Sequence, residues 1–336
     1  MKTQWIRQSV GIDVAKNDFN IALSVMDEQF HIVIKGSHCF PNNTKGFEQA
    51  LLWVEKKLIR ELSLSFVMEA TGVYYESLAY FLEGKNLQVH VVLPNQAKKY
   101  IQSLGLKSKT DKIDAQALSR LGLERNLYRW KPLSKLLQSL KQLTRERDAI
   151  VRERTTVSNQ LHAYKHQGLP SQASIRRSEK RIAFLDAQVK QIEKEIALLV
   201  KKDKDLASRL EYIKSIPGVG LLTAVIIVAE TNGFAAINSI KQLTSYAGMD
   251  IQIAESGKWN GQSRMSKKGN SYIRKALYFP AFTKIKHDPN TQNYYERLTL
   301  NKSKKMIAAV AVQRKLLGLM YTLWKKEQMF TPYYTA

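Results

Sequence analysis

A single cysteine, Cys39, is all that this 336-residue chain contains. An intramolecular disulfide and any cysteine-based zinc site are thereby excluded. Long apolar runs are missing as well, since the longest, Leu221–Ala229, is far short of a membrane span. Met1–Gln8 lacks the apolar stretch of a secretory signal. These absences predict a cytoplasmic protein with no membrane partner. Neither a repeat of fixed period nor a low-complexity tract interrupts the chain. Acidic residues are the scarce charge: 29 Asp and Glu face 53 Lys and Arg, a net charge of +24. A folded protein with that excess repels itself, so a polyanion is expected to neutralise it. Nucleic acid is the first candidate and an anionic membrane surface the second.

The excess is uneven. Residues 1–130 carry 17 basic against 13 acidic side chains, residues 131–210 carry 18 against 9, and residues 211–336 carry 18 against 7. The first block keeps the most acid for its base, which suits carboxylates that hold a cation while the other blocks hold phosphates. Hydrophobic patterning follows the same division. Within residues 1–130, short apolar segments at Val10–Val14, Phe19–Val25, Phe30–Lys35, Leu64–Met68 and Gln88–Leu93 predict strands. Helical spacing at Gly46–Arg60, Val73–Leu82 and residues 110–121 predicts helices between and after them. An antiparallel meander that continues into parallel strands covered by helices is the expected sheet.

From Pro132 the texture changes. Leu136, Leu140, Leu143, Val157 and Leu161 recur at helical intervals, a break follows at Gly168-Leu169-Pro170-Ser171, and Ile182, Leu185, Val189, Ile192, Ile196 and Leu199 resume the pattern. Two long helices folded back as an antiparallel coiled-coil hairpin fit this spacing; two helices lying flat on a larger core are the other reading. Residues 211–330 are expected to form a mostly helical third domain, with 331–336 a short tail. Here Ile216-Pro217-Gly218-Val219-Gly220 is a tight turn, 250–270 a Gly-, Ser- and Lys-rich loop, and Asn270–Phe279 and Lys305–Lys325 helices.

Four carboxylates stand where apolar or neutral residues would be cheaper. Asp13 interrupts the first strand, where burial penalises an unpaired charge. Glu69 follows the strand Leu64–Met68, at the end where ligands of parallel sheets gather. Asp111 and Asp114, spaced i and i+3, share a helix face and repel each other, which a cation would relieve. Each has an ordinary alternative: a strand-edge Asp, a Glu at a helix N-terminus, an N-cap Asp111 with Asp114 in the first turn. Together they describe an all-oxygen cage of the kind that hard divalent cations prefer.

The motifs themselves are recognisable. Gly11-Ile12-Asp13-Val14-Ala15-Lys16, Met68-Glu69-Ala70-Thr71-Gly72-Val73-Tyr74 and Lys109-Thr110-Asp111-Lys112-Ile113-Asp114-Ala115 resemble the N-terminal domain of the DEDD insertion-sequence transposases. That family includes Piv-type DNA invertases, and its first domain is similar to the RuvC resolvase, of the ribonuclease H class. Ile216–Gly220, Tyr246-Ala247-Gly248-Met249, Ser256-Gly257 and Ser266-Lys267-Lys268-Gly269-Asn270 resemble the family's second domain. The resemblance covers nearly the whole chain in the same order. It implies a DNA recombinase in which Asp13, Glu69, Asp111 and Asp114 hold two Mg²⁺ (or Mn²⁺) ions and Ser256 is the nucleophile. Family members often show a doubled serine before the glycine, whereas Glu255 precedes Ser256 here. The resemblance also implies homo-oligomers, dimers or tetramers, with the serine domain meeting a carboxylate domain across a subunit boundary. A structured RNA encoded by the element would choose the DNA.

Nucleic-acid contacts are expected from Lys107 and Lys109, which could equally be charge partners of the acids beside them. Gly218 and Gly220 belong to a turn that resembles a helix-hairpin-helix, whose backbone amides bind phosphate without reading sequence; a simple turn between core helices is the alternative. Trp259, Arg264, Lys267, Lys268, Arg274 and Lys275 add a stacking face and positive charge. Two rivals remain: a RuvC-like structure-specific endonuclease, which needs the carboxylates but not Ser256, and a non-catalytic nucleic-acid scaffold, which needs neither.

Overall fold

The computed structural model describes residues 4–70, 72–106, 108–235, 237–253, 255–256, 259–261, 263–300 and 305–331, with the backbone alone for 259–260. Lys107 and Gly257 lie outside the described residues, as does the tail beyond 331. The chain divides into two compact units, Met1–Pro132 and Leu133–Ala336.

In the first unit β1 (Trp5–Val14), β2 (Asp18–Asp27) and β3 (Ile32–Pro41) form the expected meander, each longer than the apolar runs suggest. After α1 (Thr44–Glu55), β4 (Leu64–Glu69) lies parallel to β1, with Ile12 opposite Met68. After α2 (Glu76–Gly84), β5 (Gln88–Val92) lies parallel to β4. The sheet order is β3-β2-β1-β4-β5. Pro94, which ends the last strand, also opens a helix that the sequence pattern does not show, α3 (Pro94–Ser103). Proline suits the first helical position because that residue's N–H has no intrahelical partner. Finally, α4 (Asp111–Glu124) starts at an N-cap Thr110, whose Oγ1 accepts from the Ile113 amide at 3.2 Å.

Strand alternation sorts the core. Val10, Ile12, Val14, Phe66 and Met68 pack with Phe47, Val54, Leu78 and Leu82 of α1 and α2. Val67 and Val92 pack on the other face with Ala97, Tyr100, Leu118 and Leu121 of α3 and α4. On that second face α4 lies unusually close to β1. A Cβ at Gly11 would stand 2.1 Å from the Ala115 carbonyl oxygen, and one at Gly122 would stand 2.1 Å from Ser9 Oγ. Beside that contact, buried Ser24 of β2 and Ser119 of α4 share a 2.6 Å hydrogen bond.

The second unit opens with α5 (Lys135–Lys165) and α6 (Gln172–Lys202). They run antiparallel, as cross-helix ion pairs of Arg147 with Glu193 (2.7 Å), Glu153 with Arg181 (2.8 Å) and Lys165 with Glu179 (2.8 Å) require. Sequence texture suggests a boundary near 210, but there is none. Leu140, Ile192, Ile196 and Val200 at the base of the hairpin share one core with the helices that follow. Those are α7 (Lys204–Lys214), α8 (Leu221–Glu230), α9 (Ile240–Tyr246), α10 (Ser271–Ala276), α11 (Tyr278–His287), α12 (Pro289–Leu300) and α13 (Lys305–Lys326). Although α13 is long and apolar enough to cross a membrane, Val312, Leu316, Leu317, Met320 and Leu323 bury it in this core. The 250–270 segment is not all loop. β6 (Ile251–Gln252) pairs with β9 (Arg264–Met265), and β7 (Glu255–Ser256) pairs with β8 (Trp259–Asn260).

Replacing Gly11 with alanine is expected to cost about 3 kcal/mol or more, because the added methyl meets helix backbone that cannot step aside. A Gly11→Ala chain that melts at the wild-type temperature would show that α4 does not lie this close.

Candidate active site

The site begins with strand register. Asp13 and Glu69 each follow the Ile12 and Met68 pair and point to the face that α4 covers, on neighbouring strands about 4.8 Å apart. Because Gly11 and Gly122 carry no side chain, α4 settles on the sheet with its first turn above Asp13. That turn holds Asp111 and Asp114. Four acids scattered over a hundred residues thus share one end of the sheet. Thr110, not Asp111, caps the helix, so the capping alternative for Asp111 does not apply.

Their mutual influence is direct. Asp13 is pushed up to about 6, first by burial and then by the negative charges of Asp111, Asp114 and Glu69, with Lys109 opposing. Burial also raises Asp114, against the pull of Lys109 and with a push from Asp111. Lys109 Nζ stands 4.0 Å from Asp114 Oδ2 with its own side chain 85% exposed, so solvent weakens that pairing. The other Asp114 oxygen, Oδ1, is buried without a hydrogen-bond partner. Among the described residues no three His, Cys, Asp or Glu side chains close to ligating distance of one point. The donor set is all oxygen and crowded, with Asp13 and Asp114 raised in pKa, and includes an orphaned buried atom; it fits a hard divalent cation.

One contributor has no signal in the motifs. Asn42 precedes Asn43, the N-cap of α1. Asn42 Nδ2 donates to the Ala15 carbonyl (2.9 Å) and the Tyr74 carbonyl (3.2 Å), tying the turn after β1 to the segment after Glu69.

In the second unit Ser256 is exposed on β7, opposite Trp259 in register. Glu255 beside it is exposed as well. Arg264, Lys267 and Lys268 are exposed on the return of the same segment. Arg274 and the exposed Lys275 have partners within this unit. Arg274 Nη1 donates to the carbonyls of Ala247 (2.7 Å) and Gly269 (3.0 Å), and Lys275 pairs with Asp148 at 3.1 Å. Gly218 (φ +87°) needs glycine on two counts, since a Cβ there would also stand 2.9 Å from the Thr283 side chain. Gly220 is open, at the N-terminus of α8, and no side chain caps that helix.

Comparison with known proteins agrees with the motifs. A transposase model of the DEDD, IS110 type matches residues 10–167, and a model described as the IS116/IS110/IS902 transposase family matches residues 210–296. A pilin gene-inverting protein of Moraxella bovis is 30% identical over 331 residues, covering 96% of this chain and 97% of that protein. The chain belongs to this transposase family. Its members are enzymes that cleave and rejoin DNA. The transposase is also 22% identical to the transposase for insertion sequence element IS1111A of Coxiella burnetii, covering 79% of this chain and 78% of that one. A Thermus thermophilus RuvC structure with a Holliday junction substrate is similar over 34% of this chain and 90% of its own, at 11% identity and a TM-score of 0.26. So slight a superposition adds nothing to the strand order and register described above.

The raised Asp13 pKa has a definite sign for stability. Between its ordinary value near 3.8 and its folded value of about 6, the folded transposase binds more protons than the unfolded chain, so stability falls as pH rises through that window. Asp13→Asn is therefore expected to raise the melting temperature by a few degrees at pH 7.5 in chelator, and to make little difference near pH 4. Millimolar Mg²⁺ or Mn²⁺ should raise the melting temperature of the wild type and not of Asp13→Asn. A lower melting temperature for Asp13→Asn at pH 7.5 would mean that the four acids do not repel one another.

Proposed function

We propose that the protein mobilises an insertion sequence, or inverts a DNA segment, by serine attack on phosphodiesters assisted by two Mg²⁺ or Mn²⁺ ions at Asp13, Glu69, Asp111 and Asp114. The observation that carries the reading is the gathering of these four acids at one sheet end, with Asp13 held near 6. Carboxylates crowded to that degree are costly unless a cation neutralises them. When bound, the ions would neutralise charge on the attacking and leaving oxygens of an in-line displacement. The residues' own task is to keep that end of the sheet anionic and oxygen-rich, with Asn42 bracing the turn and Thr110 fixing the start of α4.

Ser256 Oγ forms a bond to phosphorus, and the bond from phosphorus to one sugar oxygen breaks. The serine gives up its hydroxyl proton and the departing oxygen takes one up, so protons balance. One DNA end stays as a phosphoserine ester, and a sugar hydroxyl from another end reverses the step and frees the serine. Exposure of Ser256 on a short strand, with Arg264, Lys267 and Lys268 exposed nearby, supports its access to a polyanion. Trp259, across from Ser256, would stack on a base, and Lys107 and Lys109 would add phosphate contacts in the first unit. We assign Gly218 and Gly220 to a helix-hairpin-helix turn that offers backbone amides to phosphate, supported by the uncapped start of α8. Arg274, beside its two carbonyl partners, and half-exposed Lys275 would add further phosphate contacts.

The hairpin of α5 and α6 would act as a coiled coil joining subunits into dimers or tetramers. Exposed Phe184 and Leu198 on α6 support that role. A structured guide RNA is proposed as the second polyanion, with the basic excess of residues 131–336 as its support.

The test is a denaturing gel for a covalent protein–DNA adduct, with labelled element-end DNA and co-purifying RNA in Mg²⁺. The wild type should form the adduct, and Ser256→Ala and Asp13→Ala should both lose it. Cleavage without an adduct, indifferent to Ser256 and abolished at Asp13, would make the protein a resolvase-like nuclease.

A further inference from the structure

The sequence motifs pass over Glu230, the last residue of the apolar helix α8, yet its side chain is 0% exposed. Arg145 of α5 grips it with two hydrogen bonds, Nε to Oε1 at 2.7 Å and Nη2 to Oε2 at 2.9 Å. Asn270 Nδ2 donates to the same carboxylate at 2.7 Å. The other end of the Asn270 amide, Oδ1, accepts from the amides of Tyr272 (2.9 Å) and Ile273 (3.3 Å) and so caps α10. Asn270 is where the segment bearing Ser256 returns to the helical core.

Both stems of that segment are fastened at the same place. The Asn270 amide donates to the Tyr246 carbonyl at 2.8 Å, and the Tyr246 hydroxyl donates to the Glu230 carbonyl at 2.8 Å. Gly248 and Gly269 touch backbone to backbone, since a Cβ on Gly269 would stand 2.3 Å from the Gly248 nitrogen. Arg274 bridges the carbonyls on either side of that contact. Further out the Lys267 amide donates to the Gly248 carbonyl (3.0 Å) and the Ser266 amide to the Asp250 carbonyl (2.9 Å), just before β6 and β9 pair. Arg145 also lies over the Tyr272 ring, 4.8 Å from its centroid, and Asp148 one turn along α5 pairs with Lys275. The stems of the Ser256 segment are therefore fastened to the hairpin helix through a buried charge.

We infer that Glu230, gripped by Arg145 and Asn270, is a positioning group that aims the Ser256 segment, so that the hairpin helix α5 controls where the serine stands. A buried carboxylate with one cation and one amide donor is a high-stakes arrangement, because losing either donor leaves charge unpaired in the core. Such a group defines one geometry sharply, and that is what a nucleophile on an otherwise exposed loop lacks. The inference rests on Ser256 being the nucleophile.

Three variants test it: Glu230→Gln, Asn270→Asp, and the two together. Each single change upsets the balance of one negative charge against its donors. The double variant moves the carboxylate to position 270, keeps an acceptor to cap α10, and restores an amide donor facing it. For each, melting temperature, noncovalent affinity for element-end DNA and the single-turnover rate of adduct formation at saturating DNA are measured beside Ser256→Ala. Both single variants should bind DNA like the wild type and form the adduct on the order of 100-fold more slowly, as misplaced reacting groups do. The double variant should recover most of that loss. Single variants that react at the wild-type rate while Ser256→Ala forms no adduct would overturn the inference and leave the Ser256 reading intact. A folded double variant as slow as the singles would overturn it too. If the singles do not fold, the rate of the double variant decides in the same way. An adduct that survives in Ser256→Ala would defeat the Ser256 reading and this inference with it.

Discussion

The backbone of α4 rests on the backbone of β1 at Gly11, with Gly122 set against Ser9 and Ser119 bonded to buried Ser24 of the neighbouring β2. A methyl group at Gly11 or Gly122 would lift the helix, and with it the turn that carries Asp111 and Asp114. Strand pairing already puts Asp13 beside Glu69; the glycine contact brings the second pair over the first. What results is a concentration of negative charge at one end of the sheet. Lys109, largely exposed, offsets Asp114 weakly, and the positive end of α4 supplies only a fractional charge. A site of this kind is held together by the fold around it against its own repulsion, which is why rigid packing beneath it matters more than any hydrogen bond within it.

The two units solve different problems. The first uses alternation in a twisted sheet to separate a dry face, under α1 and α2, from one that ends in carboxylates under α4. The second is a helical core from which a long antiparallel hairpin extends and over which a short, exposed strand segment carries Ser256. In that core Glu230 is a fully buried carboxylate, and its partners come from α5 and from the foot of the serine segment. A carboxylate in such surroundings adds little stability over an apolar replacement, so its use is to fix geometry.

Much of this was legible in the residues. Strand and helix periods predicted the meander, the parallel continuation and the two long helices, because burial on one face leaves a period of two or of about 3.6. Motif resemblance indicated the four acids and Ser256 together. Other features left no such trace. Pro94 ends a strand and starts a helix with the same locked φ, so one residue supports both readings. The short pairs β6 with β9 and β7 with β8 are too brief for periodicity to show in a segment rich in Gly, Ser and Lys. The shared core of Leu140, Ile192 and the C-terminal helices joins blocks that differ in composition, and composition does not record which apolar faces meet.

By itself, then, the sequence narrowed the partner to a polyanion through its charge, outlined the secondary structure through its periods, and marked the four acids through motifs that resemble those of the transposase family. All of these are properties of residues near one another in the chain. Tertiary structure decided which partners the basic side chains find within the protein. Arg274 bonds a pair of backbone carbonyls, and Lys275 pairs with an aspartate on α5, 127 residues away. It also decided that Glu230 is buried and gripped, and that burial, followed by the charges of Asp111, Asp114 and Glu69, pushes Asp13 up to about 6. Burial and long-range charge depend on distances across the fold, and no local pattern encodes those.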